Sequence, residues 1–157
     1  MKSVRVLILA VAGLFAVSNA IAQTEDFAVV VNPQNGVSNV SRVELRKILA
    51  GQQRTWKGNT PVKIIVRISG TPERTALLRL LGMTESDYKE YWTAQIVRGE
   101  ADSEPLLVPS VGMVKEAVKI YPGAISLIAA KDLKIAADLK VLKVDGHAPG
   151  EPSYPLH

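Results

Sequence analysis

The sequence predicts an α/β protein with three layers, αβα, in which a mostly parallel β-sheet lies between two layers of helices. Short apolar runs rich in β-branched residues recur along the chain, which is the pattern of buried strands. Segments with apolar residues at helical spacing separate these runs. Strands that alternate with helices favour parallel pairing, and a parallel sheet needs helices on both faces.

The strands and helices can be placed from the apolar pattern and from residues that begin or end an element. Strands are expected at 27–31, 62–66, 106–108, 124–129 and 139–144, and helices are expected to begin at Ser41, Thr71, Thr84 and Ser110. Serine and threonine are favoured at helix starts because their side chains accept a hydrogen bond from the first turn. These elements define an α/β domain from residue 23 to residue 145.

The two ends of the chain are set apart from this domain. Residues 1–22 have the features of a cleaved secretory signal peptide: Lys2 and Arg5 precede an apolar run, and Ala20-Ile21-Ala22 forms a small-x-small cleavage site. The run is short for a membrane span, and an uncleaved anchor is the alternative. We therefore predict a periplasmic protein with no membrane anchor after cleavage.

Residues 146–157 are rich in proline and predict an extended tail that lies on the surface or is frayed.

Composition excludes several functions. Removal of Lys2 and Arg5 with the leader lowers the formal net charge from +4 to +2, and no basic cluster with interleaved aromatic residues is present, so nucleic-acid binding is not expected. The chain has no cysteine, which excludes disulfides, thiol catalysis and cysteine-based metal sites. Its two histidines, His147 and His157, lie in the predicted tail, where a catalytic base would be poorly held. We expect no enzyme, no cofactor and no metal.

The turn between the second predicted strand and the helix after it is the candidate binding site. The N–H groups at a helix start attract anions, hydroxyl groups add donors, and arginines add positive charge with bidentate geometry. The sequence therefore predicts a site for phosphate or a related oxyanion formed by Arg67, Ser69, Gly70, Thr71 and Arg74. The alternative is a helix start without a ligand, in which Arg74 pairs with a nearby carboxylate.

Trp56, in the polar connection from Gln52 to Thr60, supports a different hypothesis. An exposed tryptophan is typical of a protein-contact hot spot, which would suit a non-catalytic cell-envelope interaction module that does not bind a ligand. A tryptophan folded back over the sheet would instead be structural, and we favour this second interpretation.

Four stretches carry a resemblance to a known family. They are VVVNPQNGVSNVSRVELRKILAGQQRTWKGN, VRISGTPERTALLRLLGM, VKEAVKIYPGAISLI and LKVLKVDGHAPGEPSYPL. In this order they resemble the phosphate-binding proteins of ABC importers, and more specifically the small, single-lobe PBP-like domain proteins related to them. The segment from Ile48 to Trp56 is similar to the family's IFxGxxxxW signature, and Pro122-Gly123-Ala124-Ile125 is similar to its PGAIG segment.

The resemblance implies a fold, a ligand and a setting. The fold would be one lobe of a type II periplasmic binding protein, and the function would be weak binding of phosphate in ABC-type phosphate uptake or sensing. Arg67 and Ser69-Gly70-Thr71 match the arginine and the Ser-Gly-Thr turn of the larger receptors, with a shorter gap between them. An envelope protein or a second copy of the chain could complete the pocket.

Overall fold

The computed structural model describes residues 24–157, which fold into a β-sheet covered by helices on both faces. The elements are β1 Phe27–Val31, β2 Asn39–Val40, α1 Arg42–Leu49, β3 Lys63–Arg67, α2 Pro72–Leu81, α3 Glu85–Val97, β4 Leu106–Val108, α4 Val111–Ile120, β5 Ala124–Ala129 and β6 Lys140–Val144. The predicted three-layer α/β class is confirmed. The predicted signal peptide lies outside the described residues, and within residues 24–157 no helix is long and apolar enough to cross a membrane.

The sheet has the strand order β2-β6-β1-β5-β3-β4. Five of these strands run in one direction, and β1 runs against both of its neighbours, β5 and β6. The mostly parallel sheet is therefore confirmed, with β1 as its antiparallel member. All five residues of β1 are buried, which agrees with its continuous apolar run.

The two faces of the sheet support two separate hydrophobic clusters. Phe27, Val29 and Val31 of β1 point to the cluster that includes buried residues of α1, α2 and α3. Ala28 and Val30 point to the cluster that includes α4. The period of two along the strand thus distributes the side chains of β1 between both helical layers.

The predicted helix starts agree with the structure. The side chains of Ser41, Thr71, Thr84 and Ser110 each accept a hydrogen bond from the backbone N–H three residues later. The apolar pattern of residues 43–49 also predicts that Val43 faces the core, which is wrong, because Val43 is 66% exposed. The buried residues of α1 are Leu45, Ile48 and Leu49, whose spacing of three and four residues points away from position 43.

The residues after β6 contain turns but no helix or strand, in keeping with their prolines. They are nevertheless fixed to the start of β1. Tyr154 is fully buried, and its hydroxyl donates a hydrogen bond of 2.7 Å to the carbonyl of Phe27. The N–H of Phe27 donates to the carbonyl of Leu156 at 2.9 Å. This segment is therefore packed against the domain instead of being frayed.

Trp56 is folded back against the domain, as the favoured interpretation predicted. It is only 4% exposed, and its Nε1 donates to the carbonyl of Gly123 at 2.9 Å. Gly123 in turn lies so close to the chain before β3 that a Cβ atom there would be 1.7 Å from the carbonyl oxygen of Pro61. The loop that carries Trp56 and the turn before β5 are thus held together, and only glycine fits at position 123.

Substitution of Trp56 by phenylalanine is expected to reduce the free energy of unfolding by about 0.5–1.5 kcal/mol, because the carbonyl of Gly123 loses one of its two donors and keeps only the N–H of Lys63. Chemical denaturation would measure the change. Trp92→Phe is the matched control: Trp92 is equally buried, and its Nε1 has no hydrogen-bond partner among the described residues. Equal losses in the two variants would show that the Trp56 hydrogen bond does not stabilise the fold.

Candidate functional site

The predicted oxyanion turn connects the carboxyl end of β3 to α2. Gly70 has φ +85°, a left-handed conformation that glycine adopts without strain. The side-chain oxygen of Thr71 accepts from the N–H of Arg74 at 3.3 Å, and its hydroxyl donates to the carbonyl of Ile68 at 2.9 Å. Thr71 therefore shapes the turn, whereas Ser69 beside it is exposed to solvent.

Arg67, the last residue of β3, forms an ion pair across this turn. Its Nη1 donates to Oε1 of Glu73 at 3.1 Å, and its Nη2 donates to the carbonyl of Pro109 at 3.2 Å. The two paired side chains are mostly buried, with 11% and 5% of their surfaces exposed. Glu73 also lies in the first turn of α2, where a negative charge is favoured by the helix dipole.

Arg74 forms a bidentate ion pair with Glu85 at the start of α3. Its Nε and Nη2 donate to the two carboxylate oxygens of Glu85 at 3.0 Å and 2.9 Å. Its guanidinium also lies over the ring of Tyr88, 4.1 Å from the ring centroid. The remaining nitrogen, Nη1, is buried without a hydrogen-bond partner among the described residues. Arg74 is thus held in place by both a carboxylate and an aromatic ring.

The electrostatics of this cluster follow from its geometry. The Arg74 guanidinium lowers the pKa of the Glu85 carboxyl from its ordinary value, against an opposing effect of partial burial, and the Ser69 hydroxyl contributes a smaller lowering. Burial raises the pKa of Tyr88 to about 12, although Arg74 acts in the opposite direction. Arg74 and Glu85 therefore form an ion pair at the exposed side of the turn.

The structure brings the five predicted site residues to one turn, but it gives both arginines carboxylate partners. The pairing of Arg74 with a carboxylate, named above as the alternative, is present. Sequence reasoning missed Glu85 as this partner, because the only local signal was an acidic residue after the helix cap Thr84. The oxyanion site itself stays a prediction.

A separate cavity of about 430 Å³ lies at the opposite, amino-terminal end of β3. It is lined by residues of the loops 51–55 and 100–105, by the start of β3 and by Trp92. None of the five predicted site residues contributes to it. Within residues 24–157, no group of three or more histidine, aspartate or glutamate side chains is arranged to hold a metal ion.

Among the comparisons with known proteins, only the comparison with solved structures finds a match, and it shows the fold. No protein-family model matches the sequence, and no curated protein matches it. Among solved structures, an ABC-type phosphate transport receptor from Vibrio cholerae is 23% identical, with a TM-score of 0.63 over 80% of this chain and 48% of the receptor. PstS from Borrelia burgdorferi is 20% identical, with a TM-score of 0.62 over 80% of this chain and 49% of PstS.

A third similar structure contains a ligand. It is a candidate phosphate ABC transporter substrate-binding protein from Clostridium perfringens with bound phosphate, 21% identical, with a TM-score of 0.62 over 80% of this chain and 47% of that protein. The chain spans about half the length of each of these structures. The likeness expected from the four sequence stretches is therefore confirmed at the level of fold: residues 24–157 have a mixed α/β fold that is similar to about half of a phosphate transport receptor.

Proposed function

We propose that this chain is a non-catalytic, exported binding module that holds phosphate or a related oxyanion weakly, in ABC-type phosphate uptake or sensing. The observation that carries the proposal is the turn from Ser69 to Thr71, which opens α2 between two arginines, Arg67 and Arg74. The solved structure from Clostridium perfringens, which has a similar fold and contains phosphate, supports the choice of ligand.

The turn offers several donors to an anion. The first N–H groups of a helix have no acceptor within the helix, and the helix dipole makes this end positive. The exposed hydroxyl of Ser69 can add a donor, and Arg67 and Arg74 add charge. Each hydrogen bond to a charged group contributes about 1.5–3 kcal/mol, but both arginines already bind carboxylates and the turn is open to water. We therefore expect dissociation constants on the order of 1 mM.

A second copy of the chain or another envelope protein would complete the pocket. The chain spans about half the length of the phosphate-binding structures that it resembles, which supports this part of the proposal. A site closed from two sides excludes water and strengthens each charged contact.

Calorimetric titration of the chain without residues 1–22 is the test. We expect saturable binding of phosphate, weaker binding at moderate salt, and an approximately fivefold loss of affinity in Ser69→Ala, which removes one hydrogen bond. Ser103→Ala, at an exposed serine in the loop before β4, is the control and should bind as the unmodified chain does. A titration with sulfate shows whether the site discriminates between oxyanions. A folded protein that gives no saturable heat with phosphate would contradict the proposal.

The second hypothesis, a cell-envelope interaction module that binds no ligand, loses its main support. It depended on an exposed Trp56, and this side chain is buried and hydrogen-bonded to the carbonyl of Gly123.

A further inference from the structure

We propose that the carboxylate of Glu85 occupies the position at which an oxyanion would contact Arg74, and that it must leave before the oxyanion can bind there. Glu85 would then be an internal competitor that limits the affinity of the site. This inference rests on the proposed function, because it describes how the same site is regulated.

The contact between Arg74 and Glu85 has the geometry that an arginine uses for phosphate. Nε and Nη2 lie on one edge of the guanidinium and donate in parallel to the two carboxylate oxygens, at 3.0 Å and 2.9 Å. Arginine binds carboxylates and phosphates through this same pair of donors. A phosphate that approached this edge of Arg74 would therefore need the donors that Glu85 now holds.

The exposed fractions of the two side chains indicate that Glu85, and not Arg74, is the one that can move. The side chain of Arg74 is 7% exposed, whereas that of Glu85 is 45% exposed, so the carboxylate lies between the guanidinium and the solvent. Glu85 is also the first residue of α3, where its side chain can turn outward without a change in the helix. Arg74 is held separately over the ring of Tyr88 and would remain in place.

The other carboxylate of the turn is not suited to the same role. Glu73 and its partner Arg67 expose only 5% and 11% of their side chains, so a phosphate cannot reach between them from solvent. Breaking such a buried pair would leave two unpaired charges in the interior, which is strongly unfavourable. Of the two ion pairs at the turn, only Arg74 with Glu85 is accessible to a ligand.

Arg74 links Glu85 to the oxyanion turn itself. The backbone N–H of Arg74 donates to the side chain of Thr71, and its guanidinium holds the Glu85 carboxylate. Glu85 therefore lies close to any anion that binds at the turn. Its negative charge also repels an incoming anion at short range. Removal of this charge should therefore strengthen phosphate binding.

Titration of the full chain with inorganic phosphate tests the inference in four proteins: the unmodified chain, Glu85→Gln, Glu85→Ala and Glu90→Gln. Glu85→Gln keeps the size of the side chain and removes its charge, and we expect it to raise the phosphate affinity about tenfold. Glu90→Gln makes the same change at an exposed position of the same helix and should alter the affinity less than about twofold. Glu85→Ala, which leaves no carbonyl oxygen to bind Arg74, should give at least the increase seen in Glu85→Gln.

The outcomes separate the inference from the proposed function. Phosphate binding that is unchanged or weaker in Glu85→Gln and Glu85→Ala would overturn the competitor role and leave the oxyanion site standing. Absence of binding in the unmodified chain and in all three folded variants would overturn both. The Nε–H resonance of Arg74 gives a second readout, since phosphate should shift it in the unmodified chain as Glu85 leaves. A resonance that does not move while phosphate binds would also overturn the inference.

Discussion

Replacement of Gly123 by alanine is expected to lower the free energy of unfolding by about 3 kcal/mol or more. The added Cβ would lie 1.7 Å from the carbonyl oxygen of Pro61 and 2.8 Å from its carbonyl carbon. Both are backbone atoms, so no side-chain rotation can relieve the overlap, and the chain before β3 must move. For a domain of this size we expect the midpoint of thermal unfolding to fall by roughly 10 °C.

The Gly123→Ala substitution should also weaken two hydrogen bonds that the carbonyl of Gly123 accepts. Its carbonyl accepts hydrogen bonds from the N–H of Lys63 and from Nε1 of Trp56, both at 2.9 Å. A displaced Gly123 would weaken the first pairing between β3 and β5 as well as the Trp56 contact. Gly36→Ala is the matched control, since nothing lies within 4 Å of a Cβ atom at that position. A Gly123→Ala protein as stable as Gly36→Ala would contradict the close approach.

Truncation of Tyr154 to alanine is expected to cost about 3–5 kcal/mol of stability. The side chain is fully buried, and its hydroxyl donates to the carbonyl of Phe27, a residue 127 positions earlier in the sequence. The variant would therefore lose core packing and also detach the last residues of the chain from β1. Urea denaturation would measure the loss, and a cost below about 1 kcal/mol would show that this segment does not stabilise the domain.

Tyr154→Phe serves as the control that separates the hydroxyl from the ring, with an expected cost of about 1–2 kcal/mol. Tyr154→Phe should also change how the stability of the protein depends on pH. Burial, with a further contribution from Asp26, raises the pKa of Tyr154 above its ordinary value. The unfolded chain therefore loses this proton first, so stability falls as the pH rises above about 10. Tyr154→Phe should remove part of this alkaline loss, since phenylalanine does not ionise.

The strands that could be placed from sequence are those bounded by turn residues. Phe27–Val31, Leu106–Val108 and Ala124–Ala129 have the predicted bounds. The strand at Asn39–Val40 was missed, because two residues carry no periodicity. The reversed direction of β1 was not expected either: a strand buried on both faces has the same apolar run in a parallel or an antiparallel position.

In the candidate site, too, the features set by adjacent residues could be predicted, and the contact between residues of different helices could not. The helix start at Thr71 and the left-handed turn at Gly70 follow from a few adjacent residues, and both are present. The carboxylate partner of Arg74 depends on how α3 packs beside α2, which no local pattern specifies. The burial of Tyr154 was missed for a related reason, since prolines argue against regular structure but do not exclude burial.

The position of β1 has a consequence for how the chain folds. Its two neighbours, β5 and β6, come from the far end of the described chain, so the central pairings of the sheet are among the most distant in sequence. Such pairings raise the contact order, and a high contact order slows folding because long loops must close first. As the chain is synthesised, Phe27–Val31 has no strand partner until residues 124–144 have emerged. This apolar segment is therefore prone to aggregation until folding is complete.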